Sequence, residues 1–372
     1  MTLSKDNRIN VVNIGLMFIS CIAAFIMPFE VFLFAYAVMG PLHYLTEISW
    51  LHDRQYFTKG KYDHIVLWVI GGIILLESLA YKNGWNWPFG SEFGNKIIFV
   101  ALAGSLLMIF VKNVLIKVFG LLFVLLLSNV IFTPDKRDGF AFFIGALLPT
   151  LVHVYVFTGL FILFGALKSR SMSGLLSVGV FIVCPILLYQ LFQDKTFVAI
   201  TQYGQDSYKA GGDGFFNTNL SFLQEMFGVK FPQMKDAAGN LLYYEGTDRP
   251  AVDYSNAANV VFHSQAGILL MRFIAFAYTY HYLNWFSKTE VIRWHKVPKS
   301  RFIVVIVLWV VSLVLYGLNY SLGLRWLYFL SFCHVLLEFP LNMVSITGIG
   351  KELGAIAKTG FKPVMARAGV KA

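Results

Sequence analysis

The chain has 372 residues, of which 57% are hydrophobic and 17% aromatic, whereas only 13% are charged. Soluble domains carry about 25% charged residues, and a soluble protein this apolar would lack the polar surface needed to cover its core. The composition predicts an integral membrane protein and excludes soluble enzymes and nucleic-acid-binding proteins. The net charge of +10 is therefore interpreted as a sign of membrane topology.

Ten segments are long and apolar enough to cross a bilayer, for which about 20 residues are needed. We therefore expect an all-α polytopic membrane protein with about ten transmembrane helices, seven in residues 1–192 and three in residues 259–346. The fourth and fifth spans alternatively form a re-entrant hairpin, because only Lys112-Asn113 separates them. The predicted spans are 10–27, 30–51, 64–82, 97–111, 114–132, 140–166, 173–192, 260–286, 302–319 and 323–345.

The basic residues predict the orientation of this bundle. With the N-terminus inside, 19 of the 30 lysines and arginines fall in cytoplasmic segments. Five of the remaining basic residues lie in one long outer loop, which carries little topological information. We expect both termini in the cytoplasm, residues 347–372 as a basic cytoplasmic tail, and a location in a bacterial inner (plasma) membrane.

Residues 193–258 form the one large extracytoplasmic loop of this topology. The segment is rich in Gly, Asp, Asn and Tyr, and Leu220 to Phe227 has the pattern of a short amphipathic helix. We expect a cap that packs over the outer end of the bundle. A lid over a substrate entrance and a docking surface for a membrane-protein partner are the alternatives.

A few titratable side chains lie inside the predicted spans, where their cost makes them functional candidates. His43 and Glu47 in the second span, and His334 and Glu338 in the tenth, are spaced i, i+4 and therefore share one helical face. The remaining candidates are His153 in the sixth span and Arg272 and His281 in the eighth.

The four histidines are predicted to lie at a similar depth. At 1.5 Å per residue they fall roughly 8–20 Å from the inner surface, although their spans run in different directions. Imidazole suits iron and zinc, carboxylate favours iron or manganese, and helix bundles build metal sites from facing His and Glu residues. The pattern predicts an iron site, with zinc or manganese as alternatives. Its ligands are His43, His153, His281 and His334, and the candidate catalytic residues are Glu47, Glu338 and Arg272.

Two other interpretations assign different roles to the same residues. In one, the residues form a proton relay in an ion-coupled transporter. In the other, two of the histidines hold a haem. Arg272 pairs with a carboxylate such as Glu77, or binds an acidic substrate group. A third class is a structural subunit of a membrane complex. The eighth and tenth spans have no lysine for a retinal Schiff base, and no Walker A, G-x-S-x-G or H-E-x-x-H motif occurs.

The second span reads Met39-Gly40-Pro41-Leu42-His43-Tyr44-Leu45-Thr46-Glu47. It resembles the Gly-x-Pro-His-Gly-x-x-Asp element of the Brp/Blh family of membrane β-carotene dioxygenases, and Tyr280 to Phe286 is similar in character to that family's later histidine-containing helices. The resemblance implies a multi-helix membrane protein in which intramembrane histidines hold iron, with His43 as a ligand and the other three histidines as further ligands.

Together these features predict a membrane metal-dependent oxygenase. Its substrate is a lipid-soluble hydrocarbon such as a carotenoid, an isoprenoid or a fatty chain. The expected surroundings are membrane lipids, and no nucleic acid is expected to bind.

Overall fold

The computed structural model describes residues 5–90, 92–132, 139–190, 198–210, 215–243 and 251–361. Of these described residues 82% are helical, and no strand forms among them. They contain nine helices long and apolar enough to cross a membrane, or ten when one bent pair counts as a single span. The predicted all-α architecture with about ten spans is confirmed, whereas the cytoplasmic location of both termini stays a prediction.

The first helices form the N-terminal part of the bundle. Helix α2 continues through π-helical turns at Ala35–Met39 into α3. Helices α5 and α6 each have 18 residues and each qualifies separately as a span. Asn113 caps α6 by accepting hydrogen bonds from the first backbone N–H groups. The bounds are α1 Lys5–Ile26, α2 Pro28–Phe34, α3 Gly40–His52, α4 Asp63–Lys82, α5 Phe93–Phe110 and α6 Val114–Ile131.

The sixth span is one continuous helix whose central part is π-helical. It begins as α7 (Gly139–Phe142), continues as a π-helical stretch over Phe143–Phe157, and ends as α8 (Thr158–Ser169). Pro149 lies inside the stretch, where its missing N–H interrupts the regular hydrogen-bond ladder. Helix α9 (Met172–Gln190) follows.

The segment after α9 packs against the bundle through aromatic side chains. It contains α10 (Gln202–Ala210) and α11 (Phe216–Phe227), and α12 (Tyr254–His263) leads back to the next span. The predicted amphipathic helix at Leu220 to Phe227 lies within α11. Phe215 contacts Phe32 of α2 at a ring-centroid distance of 4.9 Å, so these helices cover one end of the bundle.

The last helices include the two that carry His281 and His334. Helix α13 (Gln265–Ser287) meets α12 at a 65° bend. Helices α14 (Thr289–Ile292), α15 (Lys299–Leu318) and α16 (Tyr320–Thr359) follow.

Helix α16 has 40 residues, about 60 Å of helix, and continues past the predicted end of the tenth span at residue 345. An ion pair of 2.7 Å between Arg170 Nη1 and Glu352 Oε2 fixes this extension to the end of α8. The predicted tail is therefore helical as far as Thr359, and residues 362–372 lie outside the described part of the chain.

Candidate metal centre

Six titratable side chains meet inside the bundle. They come from α3, the π-helical stretch, α13 and α16, which are far apart in the sequence. Each residue is at most 6% exposed, so the group is shielded from solvent. Its members are His43, Glu47, His153, His281, His334 and Glu338.

The four imidazole rings form a compact group. The Nε2 atoms of His43 and His281 lie 3.0 Å apart, and those of His153 and His334 lie 3.2 Å apart. The two pairs are adjacent, because the ring centroids of His43 and His334 are 5.6 Å apart and those of His153 and His281 are 5.0 Å apart. The four histidines that were predicted to share one depth are thus in contact with one another.

The outward ring nitrogens of two histidines have partners that orient the rings. His153 Nδ1 lies 2.9 Å from Glu338 Oε2, and His281 Nδ1 shares a hydrogen bond of 2.7 Å with Thr158 Oγ1. A carboxylate or hydroxyl on the outward nitrogen is the usual partner of a metal-binding histidine, because it fixes the tautomer and directs the other nitrogen at the metal.

The remaining carboxylate lies on the inner side of the ring group. Glu47 Oε2 is 3.0 Å from His43 Nε2, the same nitrogen that faces His281. One ring nitrogen has either a single hydrogen or a single lone pair, so it cannot satisfy two neighbours. Glu47 Oε2 also has no hydrogen-bond donor within the described residues. Glu47 Oε2 is therefore a ligand-type atom whose approach to His43 Nε2 is not explained by hydrogen bonding.

A metal ion fits this arrangement. Metal–nitrogen bonds of about 2.0–2.1 Å place adjacent ligand atoms about 2.9–3.4 Å apart. The distances from His43 Nε2 to His281 Nε2 and to Glu47 Oε2, both 3.0 Å, fall within this range, and His43, Glu47 and His334 each offer a ligand atom within 4.8 Å of the others.

The charge of the group also favours a bound cation. Glu47 and Glu338 are each 2% exposed, and no lysine or arginine of the described ranges forms an ion pair with either. Buried carboxylates need a compensating charge or a proton. A divalent cation held by the histidines would supply that charge.

A cavity of about 250 Å³ reaches this group from one side. Its inner end is lined by His153 and His334, whereas His43 and His281 do not line it. The ring of Tyr44 stacks on His334 at 4.2 Å, and its hydroxyl shares a hydrogen bond of 2.8 Å with that of Tyr282. Most of the wall is aromatic or aliphatic, which suits an apolar ligand.

Arg272 does not belong to the group. It lies nine residues before His281 on α13, about 13 Å along the helix axis. The residue is fully buried. Its Nε donates a hydrogen bond to the carbonyl oxygen of Phe25, and its guanidinium lies over the Phe25 ring. Glu77, the carboxylate suggested as its partner, packs at Gly94 near the start of α5 instead.

Sequence reasoning missed Thr158, Tyr44 and Tyr282. It considered only histidines and charged residues within the spans, and a threonine or tyrosine in an apolar helix gives no signal of its own. The one available hint was position: Thr158 follows His153 by five residues, which places the two on one helical face, a turn apart, when the intervening turns are π-helical.

Comparison of the chain with protein-family models, with curated proteins and with solved structures finds no match. The likeness of the Met39–Glu47 segment to the Brp/Blh element therefore stays a resemblance, and the case for a function depends on the geometry of the site.

Proposed function

We propose that the protein is an intramembrane metalloenzyme that binds iron and oxidises or cleaves a lipid-soluble hydrocarbon. The observation that carries the proposal is the meeting of four imidazoles and two carboxylates at the inner end of an aromatic-lined cavity. His43, His153, His281 and His334 are the proposed ligands through Nε2. Glu338 and Thr158 position two of these rings, and Glu47 lies within ligand distance of the same point.

The ligand set favours iron over the alternatives. Four imidazoles are acceptable to zinc, copper and iron, whereas a carboxylate adds the hard oxygen donor that iron and manganese prefer. Iron bound there supplies the capacity to activate molecular oxygen. The chain's own contribution is to fix the ligands, to exclude bulk water, and to bring an apolar substrate to the side of the centre lined by His153 and His334.

The cavity supports a lipid-soluble substrate. Rings such as Phe32, Phe215 and Phe222 line it, and these aromatic faces suit a polyene, an isoprenoid or an acyl chain. The helices that bear the centre cross the apolar region of the bundle, so a substrate dissolved in the membrane need not pass through water. Carotenoid, isoprenoid and fatty-chain substrates all satisfy this requirement.

A second candidate is a proton relay in an ion-coupled transporter. The contacts from His43 through His281 to Thr158 are continuous, at 3.0 and 2.7 Å, and His281 uses a different ring nitrogen on each side, as a chain that conducts protons without a metal requires. This candidate requires folded protein without stoichiometric metal, which makes metal content the deciding measurement.

The test is elemental mass spectrometry on protein purified in detergent without a metal-affinity tag. We expect about one iron per chain, lost in His43→Ala and in His334→Ala. His52→Ala is the matched control, because that side chain is 66% exposed and lies outside the group. Folded wild-type protein without metal would contradict the proposal and favour the relay. Oxygen uptake in the presence of carotenoid, isoprenoid and fatty-chain substrates then tests the reaction.

A further inference from the structure

The cavity has an outer end as well as an inner one. Tyr208 of α10 and Asn219 of α11 line its wall together with the metal-group residues His153 and His334. Helices α10 and α11 therefore line the same cavity as the histidines, and their side chains contact a ligand bound there.

One polar pair stands out at this outer end. Asn219 is fully buried, and its Nδ2 donates a hydrogen bond of 2.9 Å to the hydroxyl of Tyr208. Its Oδ1 has no donor in the described part of the chain. Buried polar atoms are nearly always hydrogen-bonded, so a buried carbonyl oxygen of this kind at a cavity wall indicates a donor on the ligand.

Tyr208 complements this acceptor with a donor. Its hydroxyl oxygen accepts from Asn219, which leaves its own proton for another partner. Burial raises the pKa of Tyr208, so the phenol stays protonated at neutral pH. The pair therefore offers one donor and one acceptor side by side.

A further phenol lies along the cavity. Tyr278 of α13 lines the wall, one helical turn before Tyr282, and its ring contacts Phe32 at 5.2 Å. Its hydroxyl makes no hydrogen bond with any described residue. The wall thus combines aromatic faces with hydrogen-bonding groups, an environment that suits an amphiphilic ligand better than a pure hydrocarbon.

We propose that the cavity binds a long-chain lipid alcohol, with its hydroxyl at the pair formed by Tyr208 and Asn219 and its chain directed toward His153 and His334. A hydroxyl donates to Asn219 Oδ1 and accepts from Tyr208 at once, whereas a carbonyl cannot donate and an alkane can do neither. The inference rests on the proposed function for the fate of the chain, but binding of the alcohol is measured separately.

The experiment compares a long-chain primary alcohol with the alkane of the same chain length. Both are offered to the purified protein in lipid nanodiscs, and native mass spectrometry gives the ratio of bound alcohol to bound alkane. We expect wild type to prefer the alcohol. Tyr208→Phe and Asn219→Leu should each lower the ratio about five- to tenfold, the effect of one hydrogen bond. Tyr320→Phe is the matched control, because this buried phenol bonds to the Leu33 carbonyl and lies outside the cavity.

A wild-type ratio near one, or a ratio unchanged in both variants, would overturn the inference. Tyr208→Phe keeps the ring that packs on Phe29, so it remains informative should Asn219→Leu fail to fold. Metal content is measured on the same samples. Bound metal without alcohol preference refutes this inference alone, whereas alcohol preference in metal-free protein refutes the proposed function and leaves the lipid-alcohol site standing.

Discussion

The contact between Glu338 and His153 gives the sharpest test of the proposed centre. Glu338 lies on α16, and its Oε2 is 2.9 Å from the Nδ1 of His153 in the π-helical stretch. Glu338→Gln keeps the shape of the side chain but removes its charge. We expect the variant to fold and to bind metal more weakly, because the imidazole loses the carboxylate that orients it and raises its basicity.

The magnitude follows from the type of contact. His153 Nδ1 and Glu338 Oε2 are 2.9 Å apart but are not aligned for a hydrogen bond, so the contact acts through the charge of the carboxylate. We expect its loss to cost roughly tenfold in Kd, or about 1.4 kcal/mol. Outer partners of metal-binding histidines typically contribute 10–100-fold. Thr158→Val at His281 removes a neutral contact and should weaken binding less.

The assay is competition for the metal against a chromophoric chelator, with thermal unfolding measured on the same samples. Glu77→Gln is the matched control, because Glu77 is also a buried glutamate, 7% exposed, but it lies on α4 away from the histidines. An unchanged Kd in Glu338→Gln, or an equal loss in Glu77→Gln, would refute the reasoning. Complete loss of metal would instead identify Glu338 as a direct ligand.

Three further predictions concern a tightly packed glycine, a buried ion pair and removal of the metal. Gly40→Ala places a methyl group 2.9 Å from the hydroxyl of Tyr44, so it should displace that ring and lower thermal stability by about 1–3 kcal/mol, whereas Gly15→Ala, which meets no neighbour within 4 Å, should leave stability unchanged or raise it. In wild type the ammonium of Lys117 lies 2.6 Å from the carboxylate of Asp63, and Lys117→Met leaves that carboxylate without its partner. Chemical denaturation should show a free energy of unfolding that is lower by about 3 kcal/mol. An unchanged free energy of unfolding would show that the pair is dispensable. Removing the metal with a chelator should lower the Tm. When the free metal concentration is a hundred times the Kd, bound metal adds about 2.7 kcal/mol to the free energy of unfolding, and the chelator removes this contribution. An unchanged Tm would count against a metal site that joins four helical elements.

The spans were predictable from the sequence because hydrocarbon thickness fixes their length. Nine of the ten predicted spans each correspond to one continuous helix, and the predicted eighth span corresponds to the bent pair of α12 and α13. The continuation of α16 to Thr359 was not predictable from hydropathy. It depends on contacts with α8, in particular the ion pair of Arg170 with Glu352, which no apolar pattern encodes.

The centre was predictable in part. Helical geometry dictated that His43 and Glu47 share a face, and they lie 3.0 Å apart. The second i, i+4 pair behaves differently, because Glu338 contacts His153 on another element rather than His334. Equal depth does not determine which helices are neighbours or how each is rotated about its axis, so contact among the histidines required the structure.

The dispersed origin of the four imidazoles also has a consequence for biosynthesis. His43 enters the membrane early with α3, but His281 and His334 follow only when α13 and α16 have been inserted. A chain that stalls before α16 has His43 and Glu47 but lacks His334 and Glu338, so it presents only part of the proposed ligand set. If the proposed centre holds a metal, loading would be confined to chains whose insertion has reached α16, and a chain with a misinserted helix would not retain the ion.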